Sequence, residues 1–212
     1  MDSIKKMTLY QRPDCPFCWK VRLFIFESDL QINEIEVKLG TKHPDVVLLN
    51  PNATVPVLVS GELVAYDSAL IIEYLLDKHP QINLMDGTAE EKAIIREIQQ
   101  YSDSSLGKVL FPYIKYAREN PNSKVNEQLK SSTAKDWLKA QSYLADKLGD
   151  KKFFGRDFSV ADCALLPRFS LAIANDLGID DDFSNLKEWY LRCAQRPAFT
   201  EAYPKKLQRE EG

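Results

Sequence analysis

The pattern of apolar residues divides the chain into two parts of different character. Residues 7–11 and 32–39 alternate apolar and polar side chains, as half-buried strands do, and an apolar segment suited to a helix lies between them. An irregular segment is predicted over residues 40–54. Two more strand patterns, at residues 55–59 and 63–66, flank the turn Ser60-Gly61-Glu62. Strand, helix, strand and then a hairpin is an order that predicts a small α/β domain.

A helix and a turn-rich segment complete this first part. Asp67-Ser68 opens an apolar helix that stops before His79-Pro80, because the residue before a proline disfavours helical backbone. Residues 80–88 contain Pro, Asn and Gly with little periodicity, which is typical of a linker. The first domain is therefore predicted to span residues 1–79.

Beyond this linker the sequence shows helical patterns only. A helix with a kink near Pro112 is predicted over residues 89–119, and residues 134–148 place apolar side chains at i, i+3, i+4 and i+7. A capping box at residues 159–162 precedes a third helix, which is predicted to end at Gly178, and a fourth runs from about residue 184 to 195. The second domain, residues 89–212, is predicted to be all-helical.

Composition argues against several classes of protein. The chain has 212 residues and a formal charge of −3, which gives no general attraction to nucleic acid or to anionic membranes. No run approaches the roughly 18 apolar residues of a membrane span, and residues 1–6 lead into a strand and not into the apolar core of a signal peptide. Four cysteines are too few for a disulfide scaffold. We therefore expect a protein of the reducing cytoplasm.

The sequence Cys15-Pro16-Phe17-Cys18 stands where the first strand gives way to a helix. A cysteine at a helix start faces unpaired backbone N–H groups and the positive end of the helix dipole, which favour the nucleophilic thiolate. Cys18, one turn further on, can reach the sulfur of Cys15, and Arg12 adds positive charge. A zinc site needs about four ligands, and no second Cys or His pair has suitable spacing, so no metal is expected. Cys15 is the predicted nucleophile.

Five short motifs, in this order along the chain, resemble those of the cytosolic glutathione transferases. They are Cys-Pro-Phe-Cys at 15–18, Thr-Val-Pro-Val-Leu at 54–58, Tyr-Asp-Ser-Ala-Leu at 66–70, Phe-Ser-Val-Ala-Asp at 158–162 and Arg-Pro-Ala-Phe at 196–199. The resemblance spans essentially the whole chain. It implies the glutathione transferase fold, in which a thioredoxin-like α/β domain of β-α-β-β-β-α type precedes an all-α bundle. It also implies glutathione as co-substrate and a homodimer.

The resemblance also implies roles for individual residues in binding glutathione. Pro56 would form a cis bond after Val55, whose backbone would pair with the tripeptide as an added strand does. Ser68 and the helix N-terminus would hold the γ-glutamyl carboxylate, and Asp67 would contact the ammonium group. Simple helix capping by Asp67 and Ser68 is compatible with these roles.

The resemblance implies two further sites, and for each of them the residues also allow a purely structural role. The glycine carboxylate of glutathione needs a cation, for which Lys42 and His43 are candidates, while solvated surface charges are the alternative. A second-substrate pocket would be lined by aromatic residues of the first long helix, although such residues more often belong to a core. The candidates are Tyr101, Phe111, Tyr113 and Tyr116.

The function expected from these features is that of a glutathione-dependent thiol transferase or reductase. Cys18 would either resolve a mixed disulfide or pack on the helix while Cys15 acts alone. The alternative is a non-catalytic regulator of the stringent starvation protein A type, which resembles this chain at residues 49–52, 84–85 and 158–163 and associates with RNA polymerase. That type lacks the cysteine pair, and its Pro-His-Pro motif is absent after residue 78 here. A weaker alternative is a dehalogenase or an ether-cleaving lyase of the same superfamily.

Overall fold

The computed structural model describes residues 7–120 and 126–207, so the predicted lead-in at residues 1–6 lies outside the described part. The chain forms two compact units. One runs to Leu84 and includes the residues from Pro197 onward, and the other is Met85–Arg196. The main break lies close to the predicted linker, but the residues from Pro197 onward group with the first unit and not with the helices expected to contain them.

The first unit contains a four-stranded sheet with helices around it. Its elements are β1 (Thr8–Gln11), α1 (Pro16–Glu27), β2 (Asn33–Glu36), α2 (Pro44–Leu49), β3 (Val57–Ser60), β4 (Leu63–Tyr66) and α3 (Ser68–Lys78), joined later by α9 (Pro197–Ala202) and a 3₁₀ turn (Lys205–Leu207). The strand order is β2-β1-β3-β4. β1 pairs in parallel with β2 and antiparallel with β3, and β3 pairs antiparallel with β4. The predicted thioredoxin-like domain is confirmed.

Two details of this unit extend the sequence prediction. The hairpin between β3 and β4 turns at Gly61, whose φ of +66° suits the first central position of a tight hairpin turn. The segment of residues 40–54, predicted to be irregular, contains α2, which begins at Pro44 as the first helical residue. Six residues are too few for helical periodicity to show in the sequence.

The C-terminal segment belongs to the first unit because it packs on α1. Trp19, buried on α1, lies 6.3 Å from the ring of Phe199 and 5.2 Å from that of Tyr203, between ring centroids. Arg22 donates a hydrogen bond to the carbonyl oxygen of Ala202 at 2.9 Å. These apolar and polar contacts hold the segment against the helix that carries the cysteine pair.

The second unit is helical throughout its described residues. Its elements are α4 (Ala89–Tyr101), a π-helical turn (Ser102–Leu106), α5 (Gly107–Glu119), α6 (Glu127–Leu148), α7 (Val160–Ala174) and α8 (Ser184–Ala194). The predicted all-helical domain is confirmed in its class. The helix expected over residues 89–119 is interrupted at the π-helical turn, and Pro112, where the kink was predicted, lies within α5. The third helix ends at Ala174, before Gly178, where its end was predicted.

A buried carboxylate holds the start of α7. Asp162 is fully buried and accepts hydrogen bonds from the backbone N–H of Ser159 at 2.8 Å and from the Ser159 hydroxyl at 2.9 Å. Its second oxygen accepts from the Phe154 N–H at 3.1 Å and from the Trp189 indole at 2.8 Å. The predicted capping role of Asp162 is confirmed, and this carboxylate also joins α7 to α8 and to the preceding loop.

Candidate functional site

The predicted nucleophile lies at the start of α1, beside a cavity. Cys15 is the N-cap residue of α1 and Pro16 is its first helical residue, so that the free N–H groups of the first turn point toward the cysteine. The loop before it closes through a hydrogen bond from the Cys15 N–H to the Arg12 carbonyl oxygen at 3.1 Å. The side chain is mostly buried but lines a cavity of about 440 Å³.

This environment favours the thiolate form of Cys15. A hydrogen bond from the Cys18 thiol is the largest cause that lowers the pKa of Cys15, and backbone N–H groups of Cys18 and Phe17 and the Arg12 charge add to it. Burial acts in the opposite direction, and the pKa of Cys15 is lowered to about 6. Cys15 is therefore largely ionised at neutral pH, which is the form that attacks disulfides.

Cys18 is placed to support Cys15 and has the opposite ionisation. Burial raises the pKa of the Cys18 thiol well above its ordinary value, and the neighbouring Cys15 raises it further. Cys18 is completely buried, and both cysteines are free thiols. In this reduced form Cys15 is the sulfur that an incoming electrophile meets, and Cys18 is a hydrogen-bond donor behind it.

The structure brings most of the predicted glutathione-binding residues to the Cys15 cavity. The Val55–Pro56 peptide bond is cis, as predicted. The lining residues from the prediction are Arg12, Cys15, His43, Val55, Pro56, Asp67 and Ser68. Lys42 is exposed and does not line this cavity.

Asp67 adopts a strained backbone at the cavity wall. Its φ is +78°, and its Oδ1 accepts hydrogen bonds from the N–H groups of Ala69 at 2.8 Å and Leu70 at 3.4 Å. A non-glycine residue held at such a φ costs about 1–3 kcal/mol, and such residues concentrate at functional sites. Asp67 therefore both caps α3 and presents a negative charge to the cavity.

The structure adds Lys38, which the sequence interpretation missed, to the cavity lining. Lys38 follows β2, and the cavity is also lined by residues further along the same segment, Gly40, Thr41 and His43. His43 itself packs edge-on to Tyr10, whose hydroxyl donates to Asp45 at 2.9 Å and so ties α2 to β1. Because Lys38 stands at the carboxyl end of a strand parallel to β1, its strand position was the signal that could have identified it.

The four aromatic candidates for a second-substrate pocket all lie in the helical unit. Tyr113 is buried, at 3% exposed, and the ring of Tyr101 lies 4.5 Å from that of Tyr143. Tyr116 is half-buried, whereas Phe111 is 56% exposed. The ring contact of Tyr101 and the burial of Tyr113 are typical of packed aromatic residues, and the role of these four in a substrate pocket stays a prediction.

Two other kinds of site have no candidates among the described residues. Within residues 7–120 and 126–207, no group of three or more Cys, His, Asp or Glu side chains could hold a metal ion. In the same ranges no helix has both the length and the apolar character needed to cross a lipid bilayer.

Comparison with known proteins identifies the family. Residues 9–83 match the model of the glutathione S-transferase N-terminal domain, and residues 101–197 match that of the C-terminal domain. A stringent starvation protein A homolog of Haemophilus influenzae is 28% identical over 166 residues, which cover 76% of this chain and 72% of that protein. Glutathione S-transferase omega-1 of Sus scrofa is 28% identical over 193 residues, which cover 90% and 77%.

Solved structures agree at the level of the fold. A glutathione S-transferase from Rhodospirillum rubrum superposes with a TM-score of 0.84 at 20% identity, covering 97% of this chain and 96% of that one. The two matching domain models together span most of the chain, in the order that the two structural units follow. The chain therefore belongs to the glutathione S-transferase family.

Proposed function

We propose that this protein is a glutathione-dependent thiol transferase that uses Cys15 as its nucleophile. The observation that carries the proposal is the position of a cysteine with a pKa of about 6 in the same cavity as Val55, Asp67 and Ser68. A cysteine of this kind forms disulfides readily, and the remaining cavity walls suit a peptide ligand. We infer a catalytic role for Cys15 and a binding role for the other three residues.

The charges of the cavity complement those of glutathione, the co-substrate of this family. The tripeptide carries two carboxylates and one ammonium group. Arg12, Lys38 and His43 line the cavity together with a single carboxylate, that of Asp67. We assign Asp67 to the ammonium group and Ser68, at the N-terminus of α3, to the γ-glutamyl carboxylate. Lys38 and His43 are our candidates for the glycine carboxylate.

The proposed reaction proceeds by two thiol–disulfide exchanges. The Cys15 thiolate attacks the glutathione sulfur of a mixed disulfide, and the substrate sulfur leaves as a thiolate that takes a proton from solvent. A second glutathione thiolate then attacks the glutathione sulfur bound to Cys15. Oxidised glutathione leaves, and the Cys15 thiolate is restored. Cys18 stabilises the Cys15 thiolate at the start and end of this cycle through its hydrogen bond.

The test is glutathione-coupled reduction of a small mixed disulfide by the wild-type protein, by Cys15→Ser and by Cys163→Ser. Cys163 is a buried cysteine of α7 and serves as the matched control. We expect activity in the wild type and in Cys163→Ser, and its loss in Cys15→Ser. Undiminished activity in Cys15→Ser, or no activity in any of the three proteins, would contradict the assignment of Cys15 as the nucleophile of a thiol transferase.

A second candidate is a regulator of the stringent starvation protein A type, which the similarity to such homologs favours. This hypothesis predicts that RNA polymerase co-purifies with the protein from native extract and still does so with Cys15→Ser. The retained cysteine pair favours the enzyme, because an adaptor has no need of a thiolate. Dehalogenation and ether cleavage remain weaker proposals for the same cysteine.

We also propose that the protein is a cytoplasmic homodimer. Members of this family typically form dimers. The exposed apolar side chains Leu63 and Leu70, on β4 and α3, support an interface on the first unit. None of the four cysteines is joined in a disulfide, as expected in a reducing compartment.

A further inference from the structure

Three reactive side chains meet in the first unit outside the Cys15 cavity. Lys78 donates hydrogen bonds to the Ser60 hydroxyl at 2.7 Å and to the Tyr74 hydroxyl at 2.9 Å, and Tyr74 lies 2.8 Å from Ser60. Tyr74 and Lys78 stand four residues apart on α3, so they share one face, and Ser60 ends β3 beside them. None of the three lines the Cys15 cavity.

The hydrogen bonds among Ser60, Tyr74 and Lys78 can accommodate both protonation states of Tyr74. As a phenol, Tyr74 donates its proton to Ser60 Oγ. As a phenolate, it keeps the hydrogen bond from the Lys78 ammonium and gains one from the Ser60 hydroxyl, which rotates from acceptor to donor. The phenolate therefore has two donors in place, one of them charged.

The balance of these interactions favours ionisation of Tyr74. Burial raises the pKa of the phenol, but the hydrogen bonds from Lys78 and Ser60 and the charge of Lys78 outweigh it and lower the pKa. Tyr74 is only half-buried, and Lys78 is exposed, so the phenol oxygen can be approached from solvent.

We infer that Tyr74 is a second nucleophile of this protein, activated by Lys78 and Ser60, and a site of covalent modification by activated acyl and sulfonyl compounds. The phenolate oxygen attacks the carbonyl carbon or the sulfur of the reagent and forms a new bond to oxygen. The leaving group, such as fluoride or a phenolate, departs with the electron pair of the broken bond. The phenol proton of Tyr74 passes to solvent when the phenolate forms, and the substitution involves no oxidant or reductant. This inference does not depend on the reaction proposed for Cys15.

The helical unit contains a matched contrast with the same spacing. Tyr143 and Lys147 also stand four residues apart on one helix, and Tyr143 is likewise half-buried. There, however, the tyrosine hydroxyl donates to the Glu97 carboxylate at 2.9 Å, and Lys147 binds the same carboxylate. Burial and Glu97 raise the pKa of Tyr143. A lysine at i+4 is therefore not sufficient, and a hydroxyl in place of the carboxylate makes the difference.

The protein is labelled with benzenesulfonyl fluoride at pH 8, and peptide mass spectrometry measures the labelling rate of each tyrosine. The full chain is used with Cys15→Ser as background, which removes the competing thiolate. We expect Tyr74 to be labelled about tenfold faster than Tyr143 in the same sample, because the pKa of Tyr74 is lowered whereas that of Tyr143 is raised. Lys78→Met removes the charged donor, and Ser60→Asp recreates the carboxylate of the Tyr143 site. Each should slow Tyr74 labelling about fivefold and leave that of Tyr143 unchanged.

The rate at Tyr143 reports on folding of the helical unit, and thermal melting of each variant followed by circular dichroism reports on folding of the first unit, which carries the substitutions. The inference is overturned if Tyr74 is labelled no faster than Tyr143, or if Lys78→Met and Ser60→Asp leave its rate unaltered. It is equally overturned if Ser60 or Lys78 carries the sulfonyl group in place of Tyr74.

Discussion

At the scale of single residues, Cys15 and Cys18 have identical side chains but opposite ionisation. The sulfur at the helix N-cap reaches the cavity and ionises, while the sulfur one turn later is buried and remains a thiol. The sequence spacing alone indicated that the two could meet. It did not show which role Cys18 takes, because that depends on burial, which only the packed structure gives.

The ionisation of Cys15 leads to a prediction on pH dependence. Its pKa of about 6 lies below that of an ordinary thiol, so the thiolate forms as the pH rises through about 6. The rate of alkylation by iodoacetamide should therefore rise to half its plateau near pH 6 and stay constant above pH 8. Cys18→Ala removes the largest cause of the low pKa and should move this midpoint to higher pH.

The control for this profile is Cys15→Ser, in which fast alkylation should disappear because the other three cysteines are fully buried. A midpoint near that of a free thiol in the wild-type protein would contradict a lowered pKa for Cys15.

A second prediction concerns the cation for the glycine carboxylate. Lys38 lines the cavity whereas Lys42 does not, although both are exposed lysines of the same segment. Lys38→Met should weaken glutathione binding by about fivefold, the effect of losing an exposed ion pair, and Lys42→Met should leave it unchanged. Isothermal titration of glutathione into each variant measures this, and equal effects of the two substitutions would count against Lys38.

At the scale of the elements, short motifs predicted the helix starts better than the helix ends. The capping box at Ser159 and the Asp67-Ser68 pair each fixed a helix start in the sequence. The interruption of the helix over residues 89–119 was predicted near Pro112, but Pro112 lies within α5. The interruption is the π-helical turn Ser102–Leu106, which contains neither Gly nor Pro. α2 was missed because it is too short to show a period. Such features depend on packing, which local patterns do not encode.

The buried capping carboxylate gives a prediction on stability. Asp162→Ala removes four hydrogen bonds and leaves the buried N–H groups of Ser159, Phe154 and Trp189 without their acceptor. The free energy of unfolding should fall by about 3–5 kcal/mol. Glu91 occupies the same position in the exposed capping box of α4, and Glu91→Ala should lower the free energy of unfolding far less. Urea denaturation of both variants provides the comparison, and equal losses would show that burial of the carboxylate is unimportant.

At the scale of the whole molecule, the order of the two units could be predicted from the sequence, whereas the return of the C-terminal segment to the first unit could not. Trp19, Phe199 and Tyr203 are far apart in the chain, and nothing in their local patterns indicates that they meet. In contrast, Val55, Asp67 and Ser68 line the same cavity as Cys15, and the resemblance of their motifs had implied that they lie near it.

The exposed apolar side chains of β4 and α3 lead to a prediction on assembly. Leu70 is 63% exposed at the start of α3, and a charge placed in an interface there would be desolvated without a partner. Leu70→Glu should convert the proposed dimer to a monomer in light scattering coupled to size-exclusion chromatography. Leu191, similarly exposed on α8, provides the control, since Leu191→Glu should leave the mass unchanged. A monomeric wild-type protein would refute the proposed dimer.

The central claim is that Cys15 forms a mixed disulfide with glutathione, and intact-protein mass spectrometry tests it most directly. The wild type, Cys18→Ser and Cys15→Ser are incubated with oxidised glutathione, quenched with acid and mapped by peptide analysis. We predict that Cys18→Ser accumulates one glutathionyl group on Cys15 and that Cys15→Ser acquires none, because Cys18, Cys163 and Cys193 are all fully buried. A Cys18→Ser protein without an adduct on Cys15, or an adduct on Cys163 or Cys193 in its place, would contradict the claim.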